Sequence, residues 1–126
     1  MQELPNGIEV HSVTDAPFEQ VPLGLRQARF ALGDSQADPI FLVTRMPPNT
    51  TLPRHYHEAP FVDAIAEGSL TMDGKVQGQG TVRYFPAGAV YGPQVSGPDG
   101  CVLLEFYATT AGAPAILTEA ASREDA

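Results

Sequence analysis

One stretch of the chain decides the fold that we expect: Gly80-Thr81-Val82-Arg83-Tyr84-Phe85-Pro86-Ala87-Gly88. Its centre, residues 81–85, carries β-branched and aromatic side chains, which favour a strand. The strand ends at Pro86, because proline cannot continue the hydrogen-bond ladder of a sheet. The stretch therefore predicts a short strand that is enclosed by two turns.

Similar short strands that end at a turn are predicted along most of the chain. Residues 40–46 are rich in apolar and β-branched side chains and stop at Pro47, which predicts a strand. Asp73-Gly74 is a strong signal for a two-residue hairpin. The N-terminal stretch 7–13 alternates like a strand, whereas 25–32 is ambiguous. Further strands are predicted at 51–57, 61–67, 69–73 and 101–108.

The composition agrees with this pattern. The chain has 126 residues, of which 12 are glycine and 12 are proline, scattered singly as in many short strands joined by tight turns. The length suits one domain over 1–126 with a single hydrophobic core. We expect an all-β sandwich or barrel whose C-terminal part, 114–126, is a short tail or helix.

Charge and cysteine content narrow the function. The net charge of -8 with scattered basic residues does not favour binding to nucleic acid. No segment is apolar enough to cross a membrane, and the N-terminus does not resemble a signal peptide, so we expect a cytoplasmic protein. The single cysteine, Cys101, agrees with a reducing compartment and is expected to be a small buried residue.

Two of the three histidines, His55 and His57, lie two residues apart in a predicted strand. Side chains at i and i+2 of a strand point to the same face, so the two imidazoles converge. Imidazole is a common ligand for transition metals and a general base near neutral pH. The pair indicates a metal site or a proton-transfer site, and two solvated histidines are the alternative.

The order of these motifs resembles the cupin superfamily, whose domains are double-stranded β-helices of the jelly-roll type. The first cupin motif runs from glycine through His-x-His and a glutamate to a second glycine, which here are matched by His55, His57 and Gly68. The second motif is Gly-x5-Pro-x-Gly, which residues 80–88 match without a gap. The matching region covers about residues 38–108.

The resemblance also implies a metal site, but two usual ligands are replaced. Counting from Gly68, the position of the glutamate falls on Phe61, and counting from Gly88, the position of the last histidine falls on Tyr91. Asp63 has the same strand parity as Phe61, so it is expected to face the barrel as a third ligand or acid-base group, unless it pairs with an arginine. The metal ligands that we consider are His55, His57, Asp63 and Tyr91.

Other polar residues have open roles. Glu58 has the opposite parity to His57 and is expected to point away, whereas Gln94 could reach into the site. Glu105 lies among apolar neighbours, so it is either inside the barrel with a partner or outside it. Arg45, Arg54 and Arg83 are candidate partners for these acids. The wall of the pocket is predicted to include Phe41, Phe61, Ile65, Tyr84 and Tyr91.

Three functions follow from this interpretation. The first is a metal-dependent enzyme of dioxygenase or lyase type, in which His55 and His57 hold iron, zinc or manganese. The second is a metal-free isomerase or cyclase, with His57 as base, Asp63 orienting it and Tyr91 as acid. The third is a module that binds or senses a small molecule without catalysis. In each case the partner is a small organic molecule, apolar or aromatic, and the resemblance implies a homodimer.

Overall fold

The structure is a computed structural model that describes residues 1–14 and 16–118. These residues form twelve strands and two single turns of 3-10 helix, at Pro5–Gly7 and Pro22–Gly24. The strands are β1 Gln2–Glu3, β2 Glu9–Val10, β3 Glu19–Gln20, β4 Arg26–Ala31, β5 Ile40–Met46, β6 Thr51–Leu52, β7 His55–His57, β8 Phe61–Met72, β9 Lys75–Gly78, β10 Val82–Phe85, β11 Gln94–Tyr107 and β12 Ala115–Leu117. The all-β prediction is confirmed.

The main sheet is antiparallel and has the strand order β10-β8-β11-β5-β4-β3, with β9 beside β8 and β6 beside β11. A smaller sheet pairs β7 with β12, and His55 forms a bridge with Tyr91. This arrangement places the histidine strand opposite the inner face of the main sheet. No described helix has the length and apolar character that crossing a membrane requires.

Most predicted strands are present, but their limits differ. The strand at Ile40–Met46 and the hairpin at Asp73-Gly74 are confirmed, and the ambiguous stretch 25–32 contains β4. The stretch 51–57 divides into β6 and β7, whereas 61–67 and 69–73 merge into β8. A helix at the C-terminus is wrong for Ala115–Leu117, which pair with β7, and residues 119–126 lie outside the described residues.

The inner face of the main sheet is organised in three rows of side chains that run across the strands. The middle row is charged except for one leucine, one flanking row is half apolar and half polar, and the other flanking row is apolar or aromatic. From β10 or β8 towards β4, the rows are Ile65-Leu103-Thr44-Gln27, then Arg83-Asp63-Glu105-Leu42-Arg29, then Phe85-Phe61-Tyr107-Ile40-Ala31.

The outer face of the sheet is covered only in part. Near β4 it packs under the N-terminal segment, where the Arg45 guanidinium lies 4.5 Å from the ring centre of Phe18. Towards β10 it is open, and Tyr84 is 66% exposed. Tyr84 and Phe41 belong to this outer face, so the prediction that they line the pocket is wrong. Strand parity places Arg83 and Phe85 inside instead.

The two longest strands, β8 and β11, approach each other closely at Gly68, which no other residue can replace without strain. Gly68 of β8 has φ +76°, and a Cβ atom there would overlap the carbonyl oxygen of Gly100 in the neighbouring segment of β11. The pairing of β8 and β11 is irregular at this point, between Ser96 and Cys101. Gly68 therefore allows the close approach of the two backbones.

We predict that Gly68→Ala destabilises the protein strongly. Gly74→Ala is the matched control, because Gly74 has φ +73° but no atom within 4 Å of the added Cβ. The left-handed conformation alone should cost about 1–2 kcal/mol in both variants. The overlap in Gly68→Ala should add at least about 2 kcal/mol. Urea unfolding measures both, and equal losses of stability would contradict this account.

Candidate functional site

A cavity of about 390 Å³ lies between the inner face of the main sheet and the β7–β12 pair. Its apolar lining comes mainly from Leu42, Leu52 and Leu103, and from residues of the N- and C-terminal segments. Its polar lining is shared between the main sheet and the histidine side and consists of Gln27, Arg29, Thr44, His55, His57, Asp63, Tyr91, Gln94, Glu105 and Tyr107. Such a pocket, mostly apolar with a few convergent polar groups, is typical of small-molecule sites.

Both imidazoles are held in one tautomer by the backbone. The Nδ1 atom of His55 lies 2.7 Å from the carbonyl oxygen of Pro53, and that of His57 lies 2.7 Å from the carbonyl oxygen of Ala113. A carbonyl oxygen only accepts hydrogen bonds, so each Nδ1 carries the proton. The Nε2 atom of each neutral ring is then an acceptor, and the two ring centres are 5.0 Å apart.

Burial keeps these rings neutral. Desolvation lowers the pKa of His55 below its usual value, and it lowers the pKa of His57 to about 4, with a further contribution from the neighbouring His55. At neutral pH both rings are therefore uncharged. They offer unprotonated nitrogen atoms, as a metal ligand or a general base must.

Tyr91 completes the histidine side of the cavity. Its backbone exchanges two hydrogen bonds of 3.0 Å with the backbone of His55, which fixes the position of the tyrosine. Its hydroxyl lies 3.1 Å from Nε2 of His57, to which it donates a hydrogen bond. Burial raises the pKa of Tyr91 far above its usual value, and the negative charges of Glu105 and Asp63 raise it further. The phenol therefore stays protonated.

Asp63 faces the cavity as its parity predicts, but it pairs with Arg83. The guanidinium donates to both carboxylate oxygens, from Nε to Oδ1 at 2.8 Å and from Nη2 to Oδ2 at 2.6 Å. Nη1 of Arg83 donates to Gln94 at 2.9 Å and to Gln77 at 3.1 Å. The expected hydrogen bond from His57 to Asp63 is wrong, because the Ala113 carbonyl and Tyr91 occupy both nitrogen atoms of His57.

Glu105 lies inside the barrel, which settles the alternative that the sequence left open. The carboxylate accepts hydrogen bonds from the hydroxyls of Thr44 and Tyr107, and the Gln27 amide donates to Thr44 at 3.0 Å. Burial raises the pKa of Glu105 to about 7, against the opposing effect of the two hydroxyls. The sequence alone does not identify Thr44, Gln27 and Tyr107 as residues of the site. Strand parity was the available signal, because on the paired strands these residues share a face with Glu105 and Leu42.

Other candidates lie elsewhere. Glu58 is exposed, as expected, and Gln94 is buried in the cavity wall. His11 lies outside the cavity and pairs with Glu9 at 3.0 Å. Cys101 is buried, and burial raises the pKa of its thiol to about 11, so it is a packing residue and not a nucleophile.

The described side chains of the cavity do not form a complete metal centre. No group of three or more His, Cys, Asp or Glu side chains with the arrangement of a metal site occurs within residues 1–14 and 16–118. Asp63 is occupied by Arg83, and Glu105 is occupied by Thr44 and Tyr107. His55 and His57 remain as potential ligands, fewer than the three protein ligands of typical catalytic zinc sites.

Comparison with solved structures identifies the fold. The polyketide cyclase RemF from Streptomyces resistomycificus matches with a TM-score of 0.65 and 24% identity over 88% of this chain and 85% of that chain. An acetylacetone dioxygenase from Acinetobacter johnsonii matches with a TM-score of 0.67 and 13% identity over 85% and 78%. RmlC-like cupins from Ralstonia eutropha and Shewanella frigidimarina also match.

A further match is to the complex of Rhodobacter sphaeroides SigE with the anti-sigma ChrR, with a TM-score of 0.64 and 18% identity over 76% of this chain. This chain spans about half the length of the chain that it matches there, 51%. No family model and no curated protein sequence matches. The protein therefore has the cupin jelly-roll fold, as the motifs around His55 and Gly88 predict.

We predict that Arg83→Met destabilises the protein by about 3–5 kcal/mol, because it leaves the carboxylate of Asp63 buried without a cation. The double variant Asp63→Leu/Arg83→Met removes both charges and should recover most of that loss. Urea unfolding of the two variants tests this. A double variant that is no more stable than Arg83→Met would contradict the assignment of the pair as a compensated buried charge.

Proposed function

We propose that this protein binds a small carbonyl compound and catalyses proton transfer on it, giving isomerisation or cyclisation through an enol. The observation that supports this most directly is the convergence of two neutral imidazoles and a protonated phenol in one cavity, with 3.1 Å between Nε2 of His57 and the hydroxyl of Tyr91. An imidazole base beside a hydroxyl donor is a common arrangement for general acid-base catalysis.

We assign the base to His55. Nε2 of His57 already accepts a hydrogen bond from the Tyr91 hydroxyl. Within the described part of the chain, the ring of His55 forms its hydrogen bond through Nδ1, to the carbonyl oxygen of Pro53. His55 thus has an open Nε2 that can accept a proton from carbon. This changes the sequence-based hypothesis, in which His57 was the base, and leaves His57 to position Tyr91.

Tyr91 acts in this scheme as a hydrogen-bond donor. A carbonyl oxygen that enters beside Tyr91 competes with His57 for the hydroxyl proton, and the hydrogen bond polarises the carbonyl. Because the pKa of Tyr91 is raised, the phenol keeps its proton. If a C=C bond is conjugated with the enolate, protonation at the far end of that bond gives an isomer. Attack of the enolate on a second carbonyl of the same molecule gives a ring.

The names of the structural neighbours agree with this class of substrate. A polyketide and acetylacetone both contain carbonyl groups that flank a carbon with acidic hydrogens, and proteins that act on them share this fold. The apolar part of the lining, which includes Leu42 and Leu103, suits a compound of this kind with a hydrocarbon or aromatic portion.

Deuterium exchange tests the proposal. We expect the protein to accelerate incorporation of deuterium from D2O into the carbon next to the carbonyl of acetophenone, 4-phenyl-2-butanone or ethyl acetoacetate, measured by proton NMR. His55→Gln and Tyr91→Phe should each slow exchange by about 100-fold or more. His11→Gln, outside the cavity, is the matched control and should leave the rate unchanged. Binding of these probes without exchange above buffer would support a binding module instead.

A divalent metal held by His55 and His57 is the second candidate. It is favoured by the backbone carbonyls that hold both Nδ1 atoms, since metal-bound histidines usually donate their other N–H in this way. Iron, zinc or manganese bound there would supply Lewis acidity. Asp63 is not available as a third ligand while it pairs with Arg83.

Metal analysis decides between the two candidates. Under the metal-free proposal, protein purified without a histidine tag should retain less than about a tenth of an equivalent of metal after incubation with iron, zinc or manganese and gel filtration. Near-stoichiometric metal that is lost in both His55→Gln and His57→Gln would instead establish the second candidate.

A further inference from the structure

Two carboxyl groups face the cavity side by side, and their surroundings differ. Glu105 of β11 is the direct cross-strand partner of Asp63 of β8 in the charged row. Asp63 is held by two hydrogen bonds from Arg83 and is compensated as an anion. Glu105 has hydroxyl partners, from Thr44 and Tyr107, and forms no ion pair within the described part of the chain. The charge of Asp63 is therefore compensated by a guanidinium, whereas the described partners of Glu105 are uncharged hydroxyls.

We propose that Glu105 is a second catalytic residue, which gives its carboxyl proton to the oxygen of the substrate carbonyl while His55 takes a proton from the neighbouring carbon. This inference rests on the proposed function. It adds a proton donor to the scheme above, in which Tyr91 donates a hydrogen bond but keeps its own proton.

The step balances without any further reactant. The C–H bond breaks and its proton forms an N–H bond at Nε2 of His55, while the electron pair forms the C=C bond of the enol. The O–H bond of Glu105 breaks and the O–H bond of the enol forms. In a substrate with a C=C bond conjugated to the enol, the O–H bond of the enol breaks and returns its proton to Glu105 while the C=O bond re-forms. The electron pair shifts along the conjugated bonds and takes the imidazolium proton at their far carbon, which completes an isomerisation and restores both residues.

The surroundings of Glu105 stabilise the carboxylate that the step leaves behind. The Gln27 amide donates to the hydroxyl oxygen of Thr44, so the single hydroxyl proton of Thr44 is directed to Glu105. The hydroxyl of Tyr107 donates to the other carboxylate oxygen at 2.9 Å. Charge-assisted hydrogen bonds of this kind are stronger than neutral ones.

The packing also connects Glu105 to the histidine side of the cavity. The ring of Tyr107 contacts His57, with 4.9 Å between ring centres, and its hydroxyl reaches Glu105. A ligand that fills the cavity next to Tyr107 is therefore close to the imidazole of His57 and to the carboxyl of Glu105, and the ring centre of His55 lies 5.0 Å from that of His57. This suits a substrate with a carbonyl directly bonded to the carbon that loses its proton.

The charges that face Glu105 favour both protonation states near neutral pH. Burial raises its pKa to about 7, the hydroxyls of Thr44 and Tyr107 lower it, and Asp63 raises it while Arg83 lowers it. Arg29 of β4 lines the same cavity and lies beyond Leu42 in the charged row. Tyr91 and the imidazoles are uncharged at this pH. A group with a pKa near the working pH exchanges protons efficiently in either direction.

Deuterium exchange into acetophenone, 4-phenyl-2-butanone and ethyl acetoacetate, measured against pH, tests the inference. We expect Glu105→Gln to slow exchange by about 100-fold. In the unmodified protein the rate should fall as pH rises through about 7, because Glu105 then loses the proton that it donates, and this fall should vanish in Glu105→Gln. Glu67→Gln is the matched control, since Glu67 is exposed on β8 and should leave rate and profile unchanged.

Carbon-13 NMR of the Glu105 carboxyl in the intact protein provides a second measurement that does not depend on the folding of the variant. Titration near neutral pH supports the inference, and a carboxyl that stays ionised down to pH 5 overturns it. Exchange that persists within twofold in a folded Glu105→Gln protein overturns the inference and leaves the proposed function intact. The absence of exchange by the unmodified protein with all three probes overturns both.

Discussion

The chemistry of the cavity depends on the buried ion pair between Asp63 and Arg83. The pair joins β8 to β10 in the middle row of the inner face and engages both carboxylate oxygens. The guanidinium compensates the carboxylate of Asp63 and also holds Gln94 in the wall of the cavity. Glu105, the cross-strand neighbour of Asp63, has hydroxyl partners, and burial raises its pKa to about 7.

The opposite side of the cavity is governed by burial and not by charge. Within residues 1–14 and 16–118, His55 and His57 contact no carboxylate, and their Nδ1 protons are donated to the backbone carbonyls of Pro53 and Ala113. Desolvation is consequently the largest effect on both rings and lowers their pKa. The main sheet thus carries a carboxyl whose pKa is raised and the smaller sheet carries imidazoles whose pKa is lowered. Groups whose environments shift their pKa values in this way are typical of acid-base sites.

Strand parity explains how much of this arrangement the sequence predicts. Parity places His55 and His57 together and puts Asp63 on the face of Phe61, because side chains alternate along any strand. Parity does not tell which of the two faces is the inner one. For that reason the sequence predicts the wrong face for Tyr84 and leaves the face of Glu105 open. The partner of Asp63 depends on the register between β8 and β10. This register is set only when the two strands pair, so neither strand alone indicates it. The carbonyl of Ala113 reaches His57 from a segment distant in sequence, and no local pattern indicates it.

The aromatic ring of Phe61 affects both the expected metal site and the protonation of His57. At the position where proteins that resemble this one usually have a glutamate, the ring of Phe61 stacks on Phe85 and Tyr107, with 4.5 and 4.6 Å between ring centres, and contacts His57 at 4.8 Å. A glutamate there would supply an anion that favours charged imidazoles, whereas an aromatic ring removes water and supplies no charge. His57 therefore stays neutral well below pH 6.5, since its pKa is about 4. An aromatic ring at this position therefore removes a potential metal ligand and at the same time keeps the imidazole of His57 uncharged.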